Sequence, residues 1–209
     1  MAAAQETPTA SAPPDDRRSA KWHRRRDEVI DRSARLFAEQ GFHATSTTEL
    51  CEANELGKGA LYYYIGSKEE LLALIIDRVM DEVLAGAERA AVAEGTPGDR
   101  LRELGREYLD VIFHYPDHVR VFLHEFTAVT GENAVALRAR RRAFEDIVEQ
   151  VIADGATSGA FEVHDARLTA RAWLGTHNYT YLWLRPGGDL SAREVADHFA
   201  RIFLGGIER

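Results

Sequence analysis

Hydroxyl, amine and phenol groups follow one another closely over residues 46–68, and residues with little or no side chain lie between them. Thr47 and Thr48 carry hydroxyls, and Lys58 carries a positive charge. Gly59 and Ala60 are small enough for another molecule to approach the backbone closely. Such groups bind phosphates and base edges, but they lack the convergent acid and base that catalysis requires. We take them as candidates for DNA contact, together with Arg25, Ser46, Tyr62, Tyr63 and Lys68.

Two helix-capping signals position these groups. Ser46 and Glu49 have the S-x-x-E spacing of a capping box, in which each side chain bonds the other residue's backbone amide. A short helix is therefore predicted to begin at Ser46, with free amides that can bind a phosphate beside Thr47. Ser67 and Glu70 repeat the spacing and predict the start of a much longer helix.

A tight turn is predicted between these two signals. Asn54 tolerates a left-handed backbone and is expected to end the first short helix. A second short helix then spans residues 57–64 and stops at Gly66. Two short helices around a tight turn form a helix-turn-helix, whose second helix places its N-terminal residues in the major groove of DNA.

The charge distribution agrees with one nucleic-acid-binding end. The formal net charge is -8, but residues 1–68 hold ten basic and ten acidic residues, so the whole excess lies in residues 69–209. Six basic residues and no acidic one lie between Arg17 and Arg26. Because binding depends on local potential, an acidic body does not exclude DNA binding by this end.

The N-terminal third of the chain resembles the DNA-binding domain of TetR-type transcriptional repressors. The motif that carries the resemblance is Lys58-Gly59-Ala60-Leu61-Tyr62, two aromatic residues, an apolar residue, a glycine, and Ser67-Lys68-Glu69-Glu70-Leu71. Glu55 departs from the pattern, since the family most often has a turn glycine there. The resemblance implies an all-α, TetR-like fold. Its parts would be an N-terminal three-helix helix-turn-helix domain over residues 17–68 and a C-terminal helical ligand-binding and dimerisation domain over residues 69–209.

The remaining sequence has helical periodicity and no alternating strand pattern. A first helix is predicted over residues 17–40, and a long one over residues 68–94 ends at a Gly-Thr-Pro-Gly break. The last two helices are predicted over residues 165–184 and 191–204. Nine helices in all match the TetR layout, in which the long helix connects the DNA-binding domain to the body.

A second string, residues 178–191, resembles the C-terminal domain of TetR-type regulators of fatty-acid and steroid breakdown, several of which sense acyl-CoA thioesters. The resemblance implies a small apolar ligand, with a fatty acyl-CoA as first choice, and a homodimer on a palindromic double-stranded DNA operator. Aromatic residues in such positions more often belong to the core or the dimer interface than to a ligand site, and a solvated surface is the simpler alternative for the arginines. The ligand-binding candidates are Arg106, Tyr108, Phe122, Phe126, Phe144, Arg171, Trp173, His177 and Tyr181, and the dimer-interface candidates are Leu168, Ala172, Gly175, Val195, Phe199 and Phe203.

Catalytic and metal sites find little support. The sequence has no G-x-S-x-G, P-loop or dinucleotide fingerprint, so neither an enzyme nor a cofactor is predicted. His114, His118 and His124 are the best metal candidates, but Pro116 interrupts a helix between the first two. Ordinary surface and helix-end histidines are the simpler interpretation, and no metal site is predicted.

The chain also has the features of a protein of a reducing compartment. Cys51 is the only cysteine, which excludes an intrachain disulfide, and no apolar run has the length of a membrane span. Residues 1–16 lack the order of a signal peptide and are predicted to be a disordered tail. A cytoplasmic protein with no membrane partner is therefore expected.

Several functions remain open at this point. The leading hypothesis is a ligand-responsive repressor. Its alternatives are a DNA-binding regulator of another ligand class, such as a drug or an aromatic compound, a DNA binder that needs no ligand, and an all-helical enzyme or carrier. A ligand-independent DNA binder needs no cavity, and an enzyme needs convergent titratable groups.

Overall fold

The computed structural model describes residues 19–207, and over this range the chain forms nine α-helices with no extended sheet. The predicted all-α class is confirmed. The predicted tail, Arg17 and Arg18 lie outside the described residues. Short 3-10 turns follow the sixth helix at Phe126–Ala128 and the eighth at Tyr179–Leu182. The helices are α1 Ala20–Gln40, α2 Thr47–Asn54, α3 Lys58–Ile65, α4 Lys68–Ala91, α5 Pro97–His114, α6 Pro116–Glu125, α7 Gly131–Thr157, α8 Ala166–Asn178 and α9 Ala192–Gly205.

Both predicted capping boxes are present. The Ser46 hydroxyl accepts a hydrogen bond from the Glu49 amide at 3.2 Å, and a Glu49 carboxylate oxygen accepts one from the Ser46 amide at 2.7 Å. Ser67 and Glu70 make the same pair of contacts at the start of α4. These bonds satisfy amides that the first turn of a helix leaves without a partner, so they fix where α2 and α4 begin.

The turn between α2 and α3 differs from the prediction in one residue. Glu55, and not Asn54, takes the left-handed conformation, with φ 55° and ψ 41°. Asn54 is instead the buried last residue of α2, and its side-chain amide donates to Ser33 Oγ at 3.1 Å and to Leu50 O at 2.9 Å. Because these bonds hold Asn54 in the helix, the strained backbone falls on the next residue.

Other helix ends also differ from the sequence-based boundaries. The first helix begins at Ala20 with Ser19 as its N-cap, three residues later than expected. The long helix ends at Ala91 rather than at residue 94, because Thr96 starts α5 with its own capping box to Asp99. The eighth helix stops at Asn178 and tightens into a 3-10 turn, where the buried Thr180 hydroxyl donates to His177 O at 2.7 Å.

Two apolar clusters build the molecule. We call α1–α3 the head and α4–α9 the body. The head cluster joins Phe37, Leu50 and Leu61 to the first half of α4, and it also includes Val121 of α6 and Leu137 of α7. The second cluster fills the body. The head therefore packs directly on body helices, and α4 belongs to both cores. The main helices of the body cluster are the second half of α4, α5, α7, α8 and α9.

Candidate nucleic-acid interface and ligand cavity

The N-terminal half of α3 presents an open face. Lys58, Gly59 and Ala60 are exposed, and a Cβ built on Gly59 would meet no atom within 4 Å. Among the three successive tyrosines, Tyr63 is 60% exposed, whereas Tyr62 and Tyr64 are half-buried. The hydroxyl of Tyr62 lies 3.4 Å from Thr47 Oγ1, which places the start of α2 beside α3. These positions suit base contact by α3 and phosphate contact by α2.

The ring of Trp22, on α1, packs against the exposed Tyr63. Its ring meets Tyr63 edge-on at 6.3 Å between centroids and lies 5.9 Å from the ring of Tyr64. The residue is buried at the N-terminal end of α1, although its neighbours in sequence are basic. Our sequence reasoning missed it. The available signal was its seven-residue spacing from Val29, which puts both on one helix face.

Arginines of α1 are partly used inside the protein. Arg25 donates to the carbonyl of Asn54 at 2.8 Å and to the carboxylate of Glu28 at 2.7 Å. Arg26 donates to the carbonyl of Tyr64 at 3.2 Å. Both carbonyls lie at C-terminal helix ends, which lack intrahelical partners and carry a partial negative charge. The structure therefore places Arg25 in a contact within the head, while Arg24 is exposed.

Three other DNA-contact candidates have specific local roles. The Ser46 hydroxyl and amide are both bonded to Glu49, so its side chain is occupied by the cap. The ammonium of Lys68 lies 4.5 Å above the Phe42 ring, at the start of α4. Thr48 is exposed at the second position of α2. The cation-π contact orients the amine of Lys68 without neutralising its charge.

An apolar cavity lies in the body between α4, α5, α6, α7 and α8. Its volume is about 70 Å³, which is smaller than most small-molecule sites, so a larger ligand requires the wall residues to move apart. The predicted ligand residues Tyr108, Phe122, Phe126 and Phe144 are on its wall. Arg141, Glu145, Leu174 and Asn178 were not predicted. The other wall residues are Val79, Met80, Val83, Ile112, Val119 and Leu123.

The cavity wall carries few polar groups. The hydroxyl of Tyr108 donates a hydrogen bond to Asn178 Oδ1, and burial raises the pKa of Tyr108 well above its ordinary value. The guanidinium of Arg141 lies 4.6 Å from the centroid of the Phe126 ring and 3.8 Å from a Glu145 carboxylate oxygen. The cavity therefore offers an apolar volume whose wall carries a neutral phenol–amide pair, one cation and one carboxylate.

The remaining predicted ligand residues do not line this cavity. Arg106 donates to Asp197 at 2.7 Å and to Glu103 at 3.0 Å, on another side of α5. Arg171 is exposed on α8. The hydroxyl of Tyr181 lies 2.9 Å from His124 Nε2. Arg106 and Arg171 share a helix with cavity residues, but they lie on other faces of α5 and α8. Tyr181 follows α8, and the end of that helix at Asn178 turns its side chain away from the cavity.

Trp173 and His177 form a buried stack behind Tyr108. Their ring centroids are 3.9 Å apart, and Trp173 also stacks on Tyr108 at 6.0 Å. The Nδ1 atom of His177 lies 2.8 Å from Trp173 O, which indicates that Nδ1 carries the proton. Burial lowers the pKa of His177 to about 4, and the bond to Trp173 O opposes this only partly. Trp173 and His177 therefore belong to the buried core behind Tyr108 and do not line the cavity.

An apolar stripe on the outer side of α8, beside the exposed Arg171, is open in the single chain. Leu168 is 63% exposed, and Ala172 and Gly175 are exposed on the same helix. Val195 differs from the prediction, because it points into the body core of its own chain. Phe199 and Phe203 are half-buried against that core. Other large exposed apolar side chains in this region are Tyr179, Leu182, Trp183, Leu190 and Ile202.

The histidines considered for a metal have separate partners. The Nδ1 atom of His114 lies 2.8 Å from Asp110 O, and the buried His118 lies 3.2 Å from an Asp31 carboxylate oxygen on α1. Within residues 19–207, no group of three or more His, Cys, Asp or Glu side chains is placed to hold a metal ion. Over the same range, no helix is long and apolar enough to cross a membrane.

Two family descriptions match this chain. Residues 94–207 match the tetracyclin repressor-like C-terminal domain, and residues 29–75 match the bacterial regulatory proteins of the tetR family. Together they cover the helix-turn-helix and the cavity helices α5–α8, and they leave out residues 76–93, most of α4.

Individual proteins resemble the chain over most of its length. The HTH-type transcriptional repressor KstR2 of Mycobacterium tuberculosis is 26% identical over 199 residues, which cover 93% of this chain and 98% of KstR2. The solved structure of that ketosteroid transcriptional regulator has a TM-score of 0.83 and covers 88% of this chain and 95% of its own.

Two further solved structures are similar. The regulator PfmR from Thermus thermophilus is 31% identical, with a TM-score of 0.80 over 88% of this chain and 100% of PfmR. AibR in complex with isovaleryl coenzyme A and operator DNA is 27% identical, with a TM-score of 0.75 over 85% of this chain and 97% of AibR.

Proposed function

The chain belongs to the TetR family of bacterial transcriptional regulators, and from this premise we propose that it is a dimeric repressor released from its operator by a small apolar ligand. One observation carries the proposal. The helix that begins at Lys68, directly after the helix-turn-helix, continues into the body and supplies Val79, Met80 and Val83 to the cavity wall. A ligand in that cavity touches the same rigid element that bears the DNA-reading head.

In the proposed complex, α3 reads bases and the starts of α2 and α4 bind phosphates. The exposed face with Lys58, Gly59, Ala60 and Tyr63 enters the major groove. Thr47 and Lys68 bind the backbone on either side. Two heads are needed, because helix-turn-helix dimers bind half-sites about one helical turn apart, ~34–36 Å.

The apolar face of α8 and the chain that follows it supports the dimer. Large apolar side chains rarely gather on the surface of a monomer, so a partner is expected to cover Leu168 and its neighbours. A second copy is the simplest partner, since a two-fold axis pairs the same helices of both copies. This would form a four-helix interface of α8 and α9 with their mates.

Our first choice for the ligand is an acyl-CoA or a related lipid thioester. The wall is mainly apolar, which suits an acyl chain. Two similar proteins point in the same direction, since KstR2 is named a ketosteroid regulator and AibR was solved with isovaleryl coenzyme A. The aromatic rings of Phe122, Phe126 and Phe144 favour an aromatic compound or a drug as the second candidate.

Release follows from differential affinity. A ligand shifts the DNA-binding equilibrium only if it binds the released conformation better than the operator-bound one. We propose that a ligand between α4, α6 and α7 tilts α4 and spreads the two heads beyond the half-site spacing. By linkage, the ligand must then bind the operator-bound protein more weakly, by the factor by which it lowers operator affinity.

The test is a titration of acyl-CoAs of increasing chain length into the protein with and without operator. The operator is first sought by gel shift on the DNA upstream of the chain's own gene. We expect one chain length to bind more weakly when operator is present. Binding of equal strength in both cases would exclude that ligand as the inducer, and failure of every chain length would exclude the lipid class. A separate panel of drugs and aromatic acids then tests the second candidate.

A further inference from the structure

The cavity has a buried end and a half-buried mouth, and this difference orients a ligand. The deep wall is formed mainly by α4 and α5, with one buried residue each from α6 and α7, and the mouth lies between α6, α7 and α8. An apolar group gains most by entering the deep end, while a polar group can remain at the mouth in contact with water. The buried wall residues are Val79, Met80, Val83, Tyr108, Ile112, Val119 and Phe144, and the half-buried ones are Phe122, Leu123, Phe126, Arg141, Glu145, Leu174 and Asn178.

Arg141 is the cation at this mouth. It belongs to a run of arginines on α7, but its neighbours are turned away from the cavity. Arg140 pairs with Asp77 and Asp81 of α4, and Arg142 pairs with Asp146 at 2.8 Å on the outer surface. Arg141 is three residues before Phe144, so both lie on the face of α7 that lines the cavity.

The contacts of Arg141 leave it able to bind an anion. Its guanidinium packs over the Phe126 ring at 4.6 Å, and its distance of 3.8 Å to Glu145 is longer than a hydrogen bond. A guanidinium has five N–H donors in a planar fork, so it can keep a nearby carboxylate and still bind an oxyanion. The aromatic ring packs against that fork at the cavity mouth.

A second donor lies close to the same mouth. Tyr108 donates to Asn178 Oδ1, so the two N–H groups of the Asn178 side chain remain as donors on the half-buried wall. A carbonyl oxygen is the natural partner of such an amide. The wall therefore combines an apolar interior, an amide donor and, at the rim, a guanidinium.

Resting on the proposed function, we propose that Arg141 is the specificity residue of the cavity and binds the anionic group of an acyl ligand, with the acyl chain inside and its carbonyl at Asn178. The anionic oxygen belongs either to the carboxylate of a free acid or to a phosphate of a CoA thioester. A neutral apolar compound would fill the same interior but would gain nothing from Arg141.

The experiment compares Arg141→Met with Arg142→Met, which removes a charge one position away on the outer surface. Three probes share the acyl chain that the wild-type protein binds best: the free acid, the CoA thioester and the uncharged N-acetylcysteamine thioester. Dissociation constants are measured by calorimetry. Thermal unfolding and operator binding of both variants verify that they are folded.

We expect Arg141→Met to weaken an anionic probe on the order of ten- to a hundredfold, as for loss of a charge-assisted hydrogen bond, and to leave the neutral thioester within about twofold. Arg142→Met should change none of the three. Loss on the free acid identifies a carboxylate, and loss on the CoA thioester alone identifies a phosphate.

Two results would overturn the assignment of Arg141 while leaving the proposed function intact. One is an equal loss on charged and neutral probes, which indicates packing. The other is that Arg141→Met binds every probe as tightly as the wild-type protein does, while the probes still release the protein from its operator. If the wild-type protein binds no acyl probe at all, the acyl class fails together with Arg141, and the operator gel shift shows independently that the repressor stands.

Discussion

At the scale of single residues, the arginines of α1 show that a basic run can serve two purposes. Arg25 and Arg26 donate to carbonyls at the ends of α2 and α3 and so hold the helix-turn-helix together. Arg24 and Lys21 are exposed beside them. The basic run indicates a positive end of the molecule, but sequence alone could not assign individual side chains, because their direction depends on where α2 and α3 pack against α1.

The proposed DNA-contact residues fall into two classes by position, and mutation should distinguish the classes. Thr47→Ala and Lys68→Ala should weaken binding to all DNA sequences alike, since phosphate contacts carry no sequence information. Lys58→Ala and Tyr63→Ala should instead change which operators are preferred, by roughly 1–3 kcal/mol at the base affected. Competition of operator and random duplexes in fluorescence anisotropy measures both. Equal shifts on both duplexes for all four variants would contradict this division.

The turn residue Glu55 is predicted to cost stability. A left-handed conformation costs a non-glycine residue about 1–2 kcal/mol, whereas the exposed ion pair of Glu55 with Arg32 contributes at most ~1 kcal/mol. Glu55→Gly should therefore raise the free energy of unfolding by about 1 kcal/mol in urea titration.

The matched control is Glu52→Gly in the preceding helix, α2. Glu52 is also exposed but helical, so glycine there should lower stability by about 1 kcal/mol. Opposite signs for the two substitutions support backbone strain at Glu55. Destabilisation by both would show that the ion pair with Arg32 outweighs it.

At the scale of helices, local chemistry was predictable and packing direction was not. The boxes at Ser46 and Ser67 depend on residues three positions apart, so sequence was enough to place both helix starts. Val195 and Arg141 depend on which way a helix is rotated against distant neighbours. A single residue step turns a side chain about 100° around the axis, which separates the cavity-facing Arg141 from the solvent-facing Arg142.

Helix α6 links the cavity to the head. Phe122 and Phe126, at its C-terminal end, are on the cavity wall, while Val121 is in the head core. The carboxylate of Glu125 accepts from the Phe42 amide at 3.1 Å, and His118 lies 3.2 Å from Asp31. Burial acts to raise the pKa of Asp31, but His118 and the charge of Arg78 outweigh it, so the pKa lies below its usual value.

Weakening this link should reduce communication rather than DNA binding. Asp31→Asn removes the charge that faces His118, and we expect ligand affinities measured with and without operator to become more nearly equal. Operator affinity without ligand should change little, since Asp31 lies at the contact with α6. Arg35→Ala, which removes a more exposed pair with Asp117 at 3.7 Å, is the control. An unchanged affinity ratio in Asp31→Asn would show that α6 does not carry the signal through this contact.

His177, which stacks on Trp173 in the core, makes the free energy of unfolding depend on pH. His177 has a pKa of about 4 in the fold against 6.5 for the ordinary side chain. Above that ordinary value it is neutral in both states and has no effect. As the pH falls below it, the unfolded state binds a proton that the folded state does not, so stability decreases until the folded pKa is reached.

The loss from this group is about 2 kcal/mol at pH ~5. His177→Gln cannot bind that proton and should show a smaller decrease in the free energy of unfolding between neutral pH and pH ~5. The measurement is the difference between the wild-type protein and His177→Gln in how steeply the free energy of unfolding falls with pH. The carboxylates titrate in both proteins, so their contribution cancels in this difference. Parallel slopes would show that His177 is accessible to protons in the folded protein.

At the scale of the whole molecule, the assembly decides whether two heads can reach one operator. Leu168 is the residue to change, because it is 63% exposed on α8. In a two-fold symmetric dimer that uses this face, the Leu168 side chain of each copy would be buried. Removing one leucine side chain from water contributes about 1.5–3 kcal/mol, and each change in a symmetric interface counts twice. A carboxylate at this position would also lose its hydration in the proposed interface, which opposes association.

Leu168→Glu should therefore convert the dimer to monomer in sedimentation velocity and abolish tight operator binding, while leaving the fold of each chain intact by circular dichroism. Val92→Glu is the control, since Val92 is 81% exposed at the far end of α4 from the head. The control should remain a dimer and keep the steep salt dependence of phosphate contacts. If Leu168→Glu stayed dimeric, or bound operator as tightly as Val92→Glu, the α8 face would not hold the two heads together. A different surface would then have to set the half-site spacing.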